Sequence, residues 1–332
     1  MPSGYGAKNK MRKSFVVLTD THIRAPGKHT DVALWNKMLY SRGTDIVEAW
    51  TSEIRKRAPD FVLHCGDLVD LGDEASIRLA KEIMDSLGCP YYIALGGHDT
   101  FYPGSREMFV SLFGFPGRKT WYVTDLGGIK LVVLDCVYWI NKDGGFSEYY
   151  DGKGRVRDGL AGVGVSKEEF DWLEDVVARN KDTPIIFLLH NPLSLKQTYP
   201  IGRLPVDKEH KWHRDADGFM RSFYSLDRHR ILEVISKCRK VVGIFCGHVH
   251  ISDITFPNGL LHCATPSMIE YPMEMRHVLI DGASLNITTF GLGESFSAEK
   301  SFVPQWNNRW VEGKKEDRIY TRRSGYSNAK KI

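Results

Sequence analysis

Short apolar runs recur along the chain: SFVVLT from Ser14, DFVLHC from Asp60, YYIAL from Tyr91, KLVVLDC from Lys130, PIIFLL from Pro184 and KVVGIFC from Lys240. Their hydrophobicity is continuous rather than alternating, as in strands covered on both faces. Between them lie amphipathic segments: TDIVEAWTSEIRKRA, DEASIRLAKEIMDSLG and SKEEFDWLEDVVARN. The last opens with Ser166 and Glu169 at the separation of a capping box. This order of strand, helix and strand predicts an α/β protein. Towards the C-terminus LLHCATP, RHVLID and SLNITTFGL read as shorter strands with no helix between them, an antiparallel ending to the sheet system. Two stretches, NKDGGFSEYYDGKGRVRDGLAG and SLKQTYPIGRLPVDKEHKWHRDADGFMRS, fit neither period and read as functional or disordered loops.

At 332 residues the chain exceeds the usual single-domain size, yet one elaborated mixed α/β domain accommodates it. Hydrophobic and charged fractions of 42% and 26% are those of a globular protein, and no apolar run approaches the roughly 20 residues of a membrane helix, so no membrane association is expected. The basic start MPSGYGAKNKMRKS leads into a run too short for a secretory signal, and a cytoplasmic location follows as the expectation. Cys65, Cys89, Cys136, Cys238, Cys246 and Cys263 form no CxxC pair and mostly sit in apolar runs, as free core thiols do. A net charge of +4 is too small to point to nucleic acid. The basic tail GKKEDRIYTRRSGYSNAKKI reads as a frayed, solvated terminus.

Candidate chemistry gathers where the strands end. FVVLT is followed by Asp20, Thr21 and His22; FVLHC by Gly66, Asp67 and then Asp70; YYIAL by Gly96, Gly97, His98 and Asp99; IIFLL by His190 and Asn191; VVGIFC by Gly247, His248 and His250. The carboxyl ends of parallel strands converge on one edge of an open α/β sheet, the usual place for a ligand. On extended backbone residues two apart point the same way, so Asp20 with His22 and His248 with His250 are each expected to grip one centre. Gly66 and Gly247 are expected to turn the chain sharply and leave room for an ion beside the backbone. Carboxylates mixed with imidazoles suit Zn, Mn or Fe better than Mg or Ca. Asp67, after the central glycine turn, is the candidate bridge between two ions.

With DTH, GDLVD, GGHD, HNP and GHVH in this order, the sequence resembles the calcineurin-like metallophosphoesterase superfamily, whose pattern is DxH, GDxxD, GNH[DE], H and GHxH. The HNP and GHVHISD contexts look most like the cyclic-nucleotide phosphodiesterase branch. The resemblance runs from about Ser14 to His250 and on through the following strands. It implies a four-layer α/β/β/α sandwich over residues 14–295, with loop insertions near 141–163 and 194–224, an extended or disordered N-terminus over 1–13 and a C-terminal extension over 296–332. Carried over by position, Asp20, His22, Asp67 and His250 hold the first of two divalent ions (Mn, Fe or Zn), and Asp67, His190 and His248 hold the second. His98 faces the substrate as general acid, and Asp99 orients its imidazole.

This chain departs from the pattern at Gly97, where the family has an asparagine whose amide oxygen binds the second metal. The loss removes a neutral ligand and is expected to weaken that site, unless a water, Asn191 or Asp99 fills the gap. The implied activity is metal-dependent hydrolysis of a phosphate-ester small molecule, foremost a cyclic nucleotide or related diester, with a metal-bridging water as nucleophile. A phosphomonoesterase acting on phosphoproteins, nucleotides or metabolites, and a catalytically weak metal-binding scaffold, stay open as alternatives. The segment from Lys196 to Arg221 brings Lys208, His210, Lys211, His213 and Arg214 together with Tyr199 and Trp212, which reads equally as a phosphate and base contact or as a solvated lid edge. His29, His64, His210, His213, His229, His262 and His277 read as structural, and Asp70 as a loop-fixing acid.

Overall fold

The apolar runs become the parallel strands of two six-stranded sheets. The computed structural model describes residues 11–27, 42–141, 144–148, 160–196, 223–292, 298, 308–323 and 325–326, so Lys208, His210, Lys211, His213, Arg214, Tyr199 and Trp212 of the second long loop lie outside the described residues. The first sheet contains β1 (Arg12–Leu18), β2 (Phe61–His64), β3 (Tyr91–Ile93), β13 (Met275–Asp281), β14 (Ser284–Phe290) and β15 (Ile319–Arg322), in the order β15-β14-β13-β1-β2-β3. The second contains β4 (Tyr122–Asp125), β5 (Lys130–Val133), β9 (Ile185–Leu188), β10 (Val241–Cys246), β11 (Asp253–Thr255) and β12 (His262–Ala264), in the order β11-β12-β10-β9-β5-β4. In the first, β1, β2 and β3 run parallel while β13 and β14, read from RHVLID and SLNITTFGL, add the expected antiparallel ending together with β15; LLHCATP instead becomes β12 of the second sheet and runs parallel to β10.

Continuous hydrophobicity has the cause expected of it: both faces of the second sheet are buried. Leu131, Val133, Ile186 and Leu188 join the core shared with the first sheet, while their neighbours Val132, Ile185 and Phe187 join a second core under the helices. Phe15 of β1 meets Phe245 of β10 edge-on at 5.8 Å between ring centres, which marks the seam between the sheets. Helices α1 (Gly43–Arg57) and α2 (Glu74–Asp85) bury Trp50, Ile54, Ile77, Ala80 and Met84 in the first core, with α3 (Ser105–Phe113) beside them. Helices α4 (Lys167–Arg179) and α5 (Arg228–Ile235) bury Phe170, Leu173, Ile231 and Leu232 in the second. The result is a four-layer α/β/β/α sandwich, with the carboxyl ends of β1, β2, β3, β9 and β10 bearing the predicted clusters.

Two local expectations are corrected. Ser166 caps α4 by accepting the Glu169 amide at 3.1 Å, but the Glu169 carboxyl turns inward and accepts the Asp135 amide at 2.8 Å, so only half of the capping box forms. The C-terminal tail is not frayed over its described part: β15 pairs with β14, and Asp317 and Arg322 are buried. A wholly buried Arg276 on β13 holds this segment, donating to the carbonyls of Asp317 at 2.7 Å and Ala264 at 2.6 Å and to Ser252 Oγ at 3.1 Å. One buried guanidinium therefore ties both sheets to the end of the chain.

A small third sheet, β6 (Tyr138–Asn141), β7 (Phe146–Ser147) and β8 (Leu160–Gly164), stands where a loop insertion was expected. Arg106 of α3 anchors it, donating to the carbonyls of Val137 at 3.0 Å and Glu148 at 2.7 Å and lying 4.2 Å from the centre of the Tyr138 ring. Its guanidinium also pairs with the buried Asp135. Every cysteine is a free thiol, all buried except half-buried Cys89. Among the described residues no helix is long and apolar enough to cross a membrane.

Glu169 generates a test of the packing. Burial, reinforced by the Asp135 carboxylate, lifts its carboxyl well above the usual carboxylate range, so the native protein keeps a proton that the unfolded chain releases above about 4.5. The native state binds the extra proton, so stability is full below the ordinary glutamate range and declines as pH rises through and above it. Glu169→Gln keeps an acceptor for the Asp135 amide without the charge. The variant is expected to lose less melting temperature than the wild type between pH 5 and pH 8, measured by thermal unfolding; parallel declines would contradict the assignment.

Candidate metal centre

Every predicted cluster reaches one place, and the backbone that brings it there is strained. Asp20, His22, Asp67, His248 and His250 all have left-handed φ values, of 50°, 44°, 50°, 71° and 55°. Such conformations are uncommon for residues with a β-carbon and cost on the order of 1–3 kcal/mol each. Asp20 and His22 therefore meet through alternate left-handed residues after the strand ends, not by extended-strand alternation. His248 and His250 do not grip one centre as expected: His250 joins Asp20 and His22, and His248 joins Asp67 and His190. Hydrogen bonds between the two loops hold this shape: the amides of Asp20, His22 and Ile23 donate to the carbonyls of Gly66, Asp67 and Leu68 at 3.0, 3.1 and 2.9 Å.

The glycines act differently from expectation. The space beside Gly66, whose φ is +101°, is taken by His190: a β-carbon there would lie 2.7 Å from its Nδ1. At Gly247 a β-carbon would fall 1.9 Å from Thr19 Oγ1 and 2.6 Å from Asp20 Oδ2. These glycines leave room for protein groups rather than for an ion.

Three groups of side chains could hold a cation, each with its donor atoms within 4.8 Å of one another: Asp20, His22 and His250; His22, Asp67 and His98; and Asp67, His190 and His248. Both carboxylates are buried, and each has one oxygen tied down. Asp20 Oδ2 accepts Thr19 Oγ1 at 2.6 Å and the His248 amide at 3.0 Å, while Oδ1 lies 3.1 Å from His250 Nε2. Asp67 Oδ1 accepts the His98 amide at 2.8 Å, while Oδ2 lies 3.3 Å from His190 Nε2 and 3.9 Å from His22 Nε2. Asp67 thus stands between the two sets, as a bridging carboxylate must.

The imidazoles of His22, His98, His190 and His250 share one arrangement, in which Nδ1 faces a supporting oxygen: Asp70 Oδ1 for His22 at 3.2 Å, the Asp70 carbonyl for His98 at 2.8 Å, the Cys65 carbonyl for His190 at 2.9 Å, and Glu270 for His250. A carbonyl only accepts, so His98 and His190 carry their protons on Nδ1 and present Nε2 as the variable nitrogen. This is how outer partners orient metal-binding histidines. The buried His190 Nε2 has no hydrogen-bond partner, which fits a donor set awaiting a cation.

Electrostatics agree. Burial alone would raise the carboxyls, but the nearby imidazoles outweigh it: His250 holds Asp20 far below the usual range, and His190 and His98 do the same for Asp67. Burial would lower His190, yet the Asp67 carboxylate beside it carries the imidazole up to about 9. Ionised acids under protonated imidazoles are what an ion-binding pocket holds when protons stand in for metal.

Asp99 does not take the role expected of it. Its carboxylate accepts the amides of Val69 at 2.9 Å and Gly96 at 2.8 Å, and burial with the Asp67 charge nearby lifts it to about 7. It pins the loop; it does not touch the His98 ring. Asp70 orients that ring, through its carbonyl and a carboxylate oxygen 3.4 Å away, and the same carboxylate is neutralised by Arg24, whose Nε lies at 2.7 Å. Sequence reasoning placed Asp70 correctly as a loop-fixing acid but missed this second duty. It also missed Glu270, whose only signal was an acid inside the apolar stretch SMIEYPM. Neither Asn191, whose side-chain Oδ1 accepts from Cys136 Sγ at 3.9 Å, nor Asp99, bound to the Val69 and Gly96 amides, takes the place of the family's asparagine at Gly97. His64 is a core residue as expected: burial pushes it down to about 3, and its Nδ1 accepts the Gly66 amide at 3.2 Å.

Residues 13–252 match the family model of the calcineurin-like phosphoesterases, and the chain belongs to that family of phosphoester hydrolases. A probable glycerophosphodiester phosphodiesterase GpdQ from Arcobacter nitrofigilis is 26% identical over 261 residues, covering 76% of this chain and 78% of the relative. A probable cyclic nucleotide phosphodiesterase from Synechococcus is 25% identical over 247 residues, covering 74% and 76%. Among solved structures, a dimetal phosphatase from Danio rerio superposes with a TM-score of 0.62 at 16% identity, over 95% of this chain and 99% of that one, a likeness of fold.

Because His190 is held protonated up to about 9, a metal ion arriving at its Nε2 must displace that proton. Apparent Mn affinity of the metal-stripped protein is expected to rise by up to about tenfold per pH unit between pH 6 and pH 8. Calorimetric titration in buffers of different ionisation enthalpy should report proton release; a pH-independent affinity without release would contradict the arrangement.

Proposed function

We propose that this protein is a dinuclear metal-dependent phosphodiesterase, and the observation that carries the reading is the position of Asp67. One of its oxygens is fixed by the His98 amide, and the other faces His190 on one side and His22 on the other. Asp20, His22, Asp67 and His250 form the first ligand set, and Asp67, His190 and His248 the second. Divalent ions held there would supply Lewis-acid charge to the phosphoryl oxygens and a water of lowered pKa. Two divalent ions against the two carboxylates leave a net charge of about +2, which draws an anionic ester into the site.

The chain's own residues complete the chemistry. His98 is about a quarter exposed, and the Asp70 carbonyl fixes Nδ1 as its protonated nitrogen, so proton exchange with the leaving alcohol falls to Nε2. Asp70 raises the readiness of both His22 and His98 by facing Nδ1 of each. The left-handed loops pre-pay the positioning of the ligands, so little reorganisation remains when substrate binds. The names of the two relatives support a diester substrate, glycerophosphodiester or cyclic nucleotide.

The test is turnover of bis(p-nitrophenyl) phosphate, p-nitrophenyl phosphate and cyclic AMP by Mn-loaded protein. Diester turnover well above monoester turnover is expected; the reverse would make it a phosphomonoesterase, and metal uptake with no turnover would leave a scaffold. His98→Ala is expected to slow diesters with poor leaving groups about 10²–10⁴-fold and activated aryl diesters much less. Equal losses would remove His98 as the proton donor.

Gly97 bears on the second ion. Its φ and ψ of −61° and −40° are open to any residue, and a β-carbon there would make only ordinary contact, 3.6 Å from the Trp139 ring. Gly97→Asn is therefore expected to fold and to bind its second Mn equivalent about tenfold or more tighter than the wild type, as read by metal titration. Two equally tight equivalents in the wild type would show that the glycine costs the site nothing.

A further inference from the structure

The face that Gly97 leaves bare is not open. Gly97 stands between Gly96 and His98, whose amide is bound to Asp67, and the edge of the Trp139 indole, Cζ2 and Cη2, lies over it, both atoms 3.6 Å from where a β-carbon would be. Trp139 is placed with some rigidity. Its Nε1 donates to Thr100 Oγ1 at 3.4 Å, and the strand β6 that carries it is clamped by Arg106 through the carbonyls of Val137 and Glu148. Phe101 continues the surface, with its ring 4.6 Å from His98 and 6.5 Å from Trp139, tilted by about the same angle to each. His98, Phe101 and Trp139 thus form an unbroken aromatic run starting at the residue read as the proton donor. All three are half-buried rather than sealed in the core.

We propose that Trp139 and Phe101 form a specificity wall on the leaving-group side of the site, selecting phosphate esters whose departing alcohol carries a flat ring, aryl or nucleobase, over those with an open-chain alcohol. The proposal rests on the phosphoesterase reading above. The physical reason is that a rigid aromatic face loses little entropy on binding and stacks on any flat π-system, whereas a hydrated polyol gains nothing from losing water against it. Stacking acts equally on bound substrate and transition state, so it is expected in affinity rather than in the chemical step.

The test uses the full chain loaded with Mn and two non-hydrolysable probes, phenylphosphonate and methylphosphonate, with affinities from calorimetry. The wild type is expected to bind the phenyl probe about tenfold or more tightly than the methyl probe. Trp139→Leu should bring that ratio to within about twofold, and Trp139→Phe should restore most of it. Phe101→Leu supplies an independent reduction should Trp139→Leu fail to fold. An absence of phenyl preference in the wild type, or a ratio unchanged in the Leu variants, would overturn the wall while leaving the phosphoesterase reading in place. Binding of neither probe by the loaded wild type would overturn the reading itself, and the wall with it.

Discussion

Two carboxylates that must stay ionised in the interior govern the arrangement of this protein. An isolated buried carboxylate is costly and protonates instead. Asp20 and Asp67 avoid this because each has one oxygen on backbone or hydroxyl donors and the other among imidazoles. Bringing five such side chains within reach requires left-handed backbone at residues with β-carbons, and that in turn requires a rigid platform. The sandwich provides it, because each loop leaves a strand whose final residues are buried.

The outer partners extend the same logic. Asp70, Glu270 and the Cys65 carbonyl each take the Nδ1 side of an imidazole, so that ring orientation is settled before any ligand arrives. Asp70 serves two histidines while Arg24 balances its charge. Asp99 serves by pinning the Gly96 and Val69 amides, which keeps the His98 loop against Asp67. The site is a set of interlocked supports around the side chains that could hold an ion.

Much of this was legible in the sequence. The runs from Ser14, Asp60, Lys130, Pro184 and Lys240 appear as strands within a few residues of the reading, because burial on both faces leaves an uninterrupted apolar signature. The metal-type donors were legible because they follow those runs directly. What was not legible depends on space rather than order. The left-handed backbone at Asp20, His22, His248 and His250 falls on residues with β-carbons, where sequence gives no sign of it. Asp99 adjoins His98 in sequence, yet Asp70 lies against its ring. The β6–β8 sheet has a half-buried first strand and short partners, and Trp139 became part of the site only through it. The tail looked solvated because its charges dominate, whereas Asp317 and Arg322, the residues that dock, are few.

That docking also has a bearing on synthesis. Arg276 is made some forty residues before Asp317, the carbonyl partner it donates to. Until Asp317 is made, the Arg276 guanidinium has part of its bonding still to come. The bond to Ala264 joins the two sheets with residues already made, whereas the bond to Asp317 waits for the C-terminal segment.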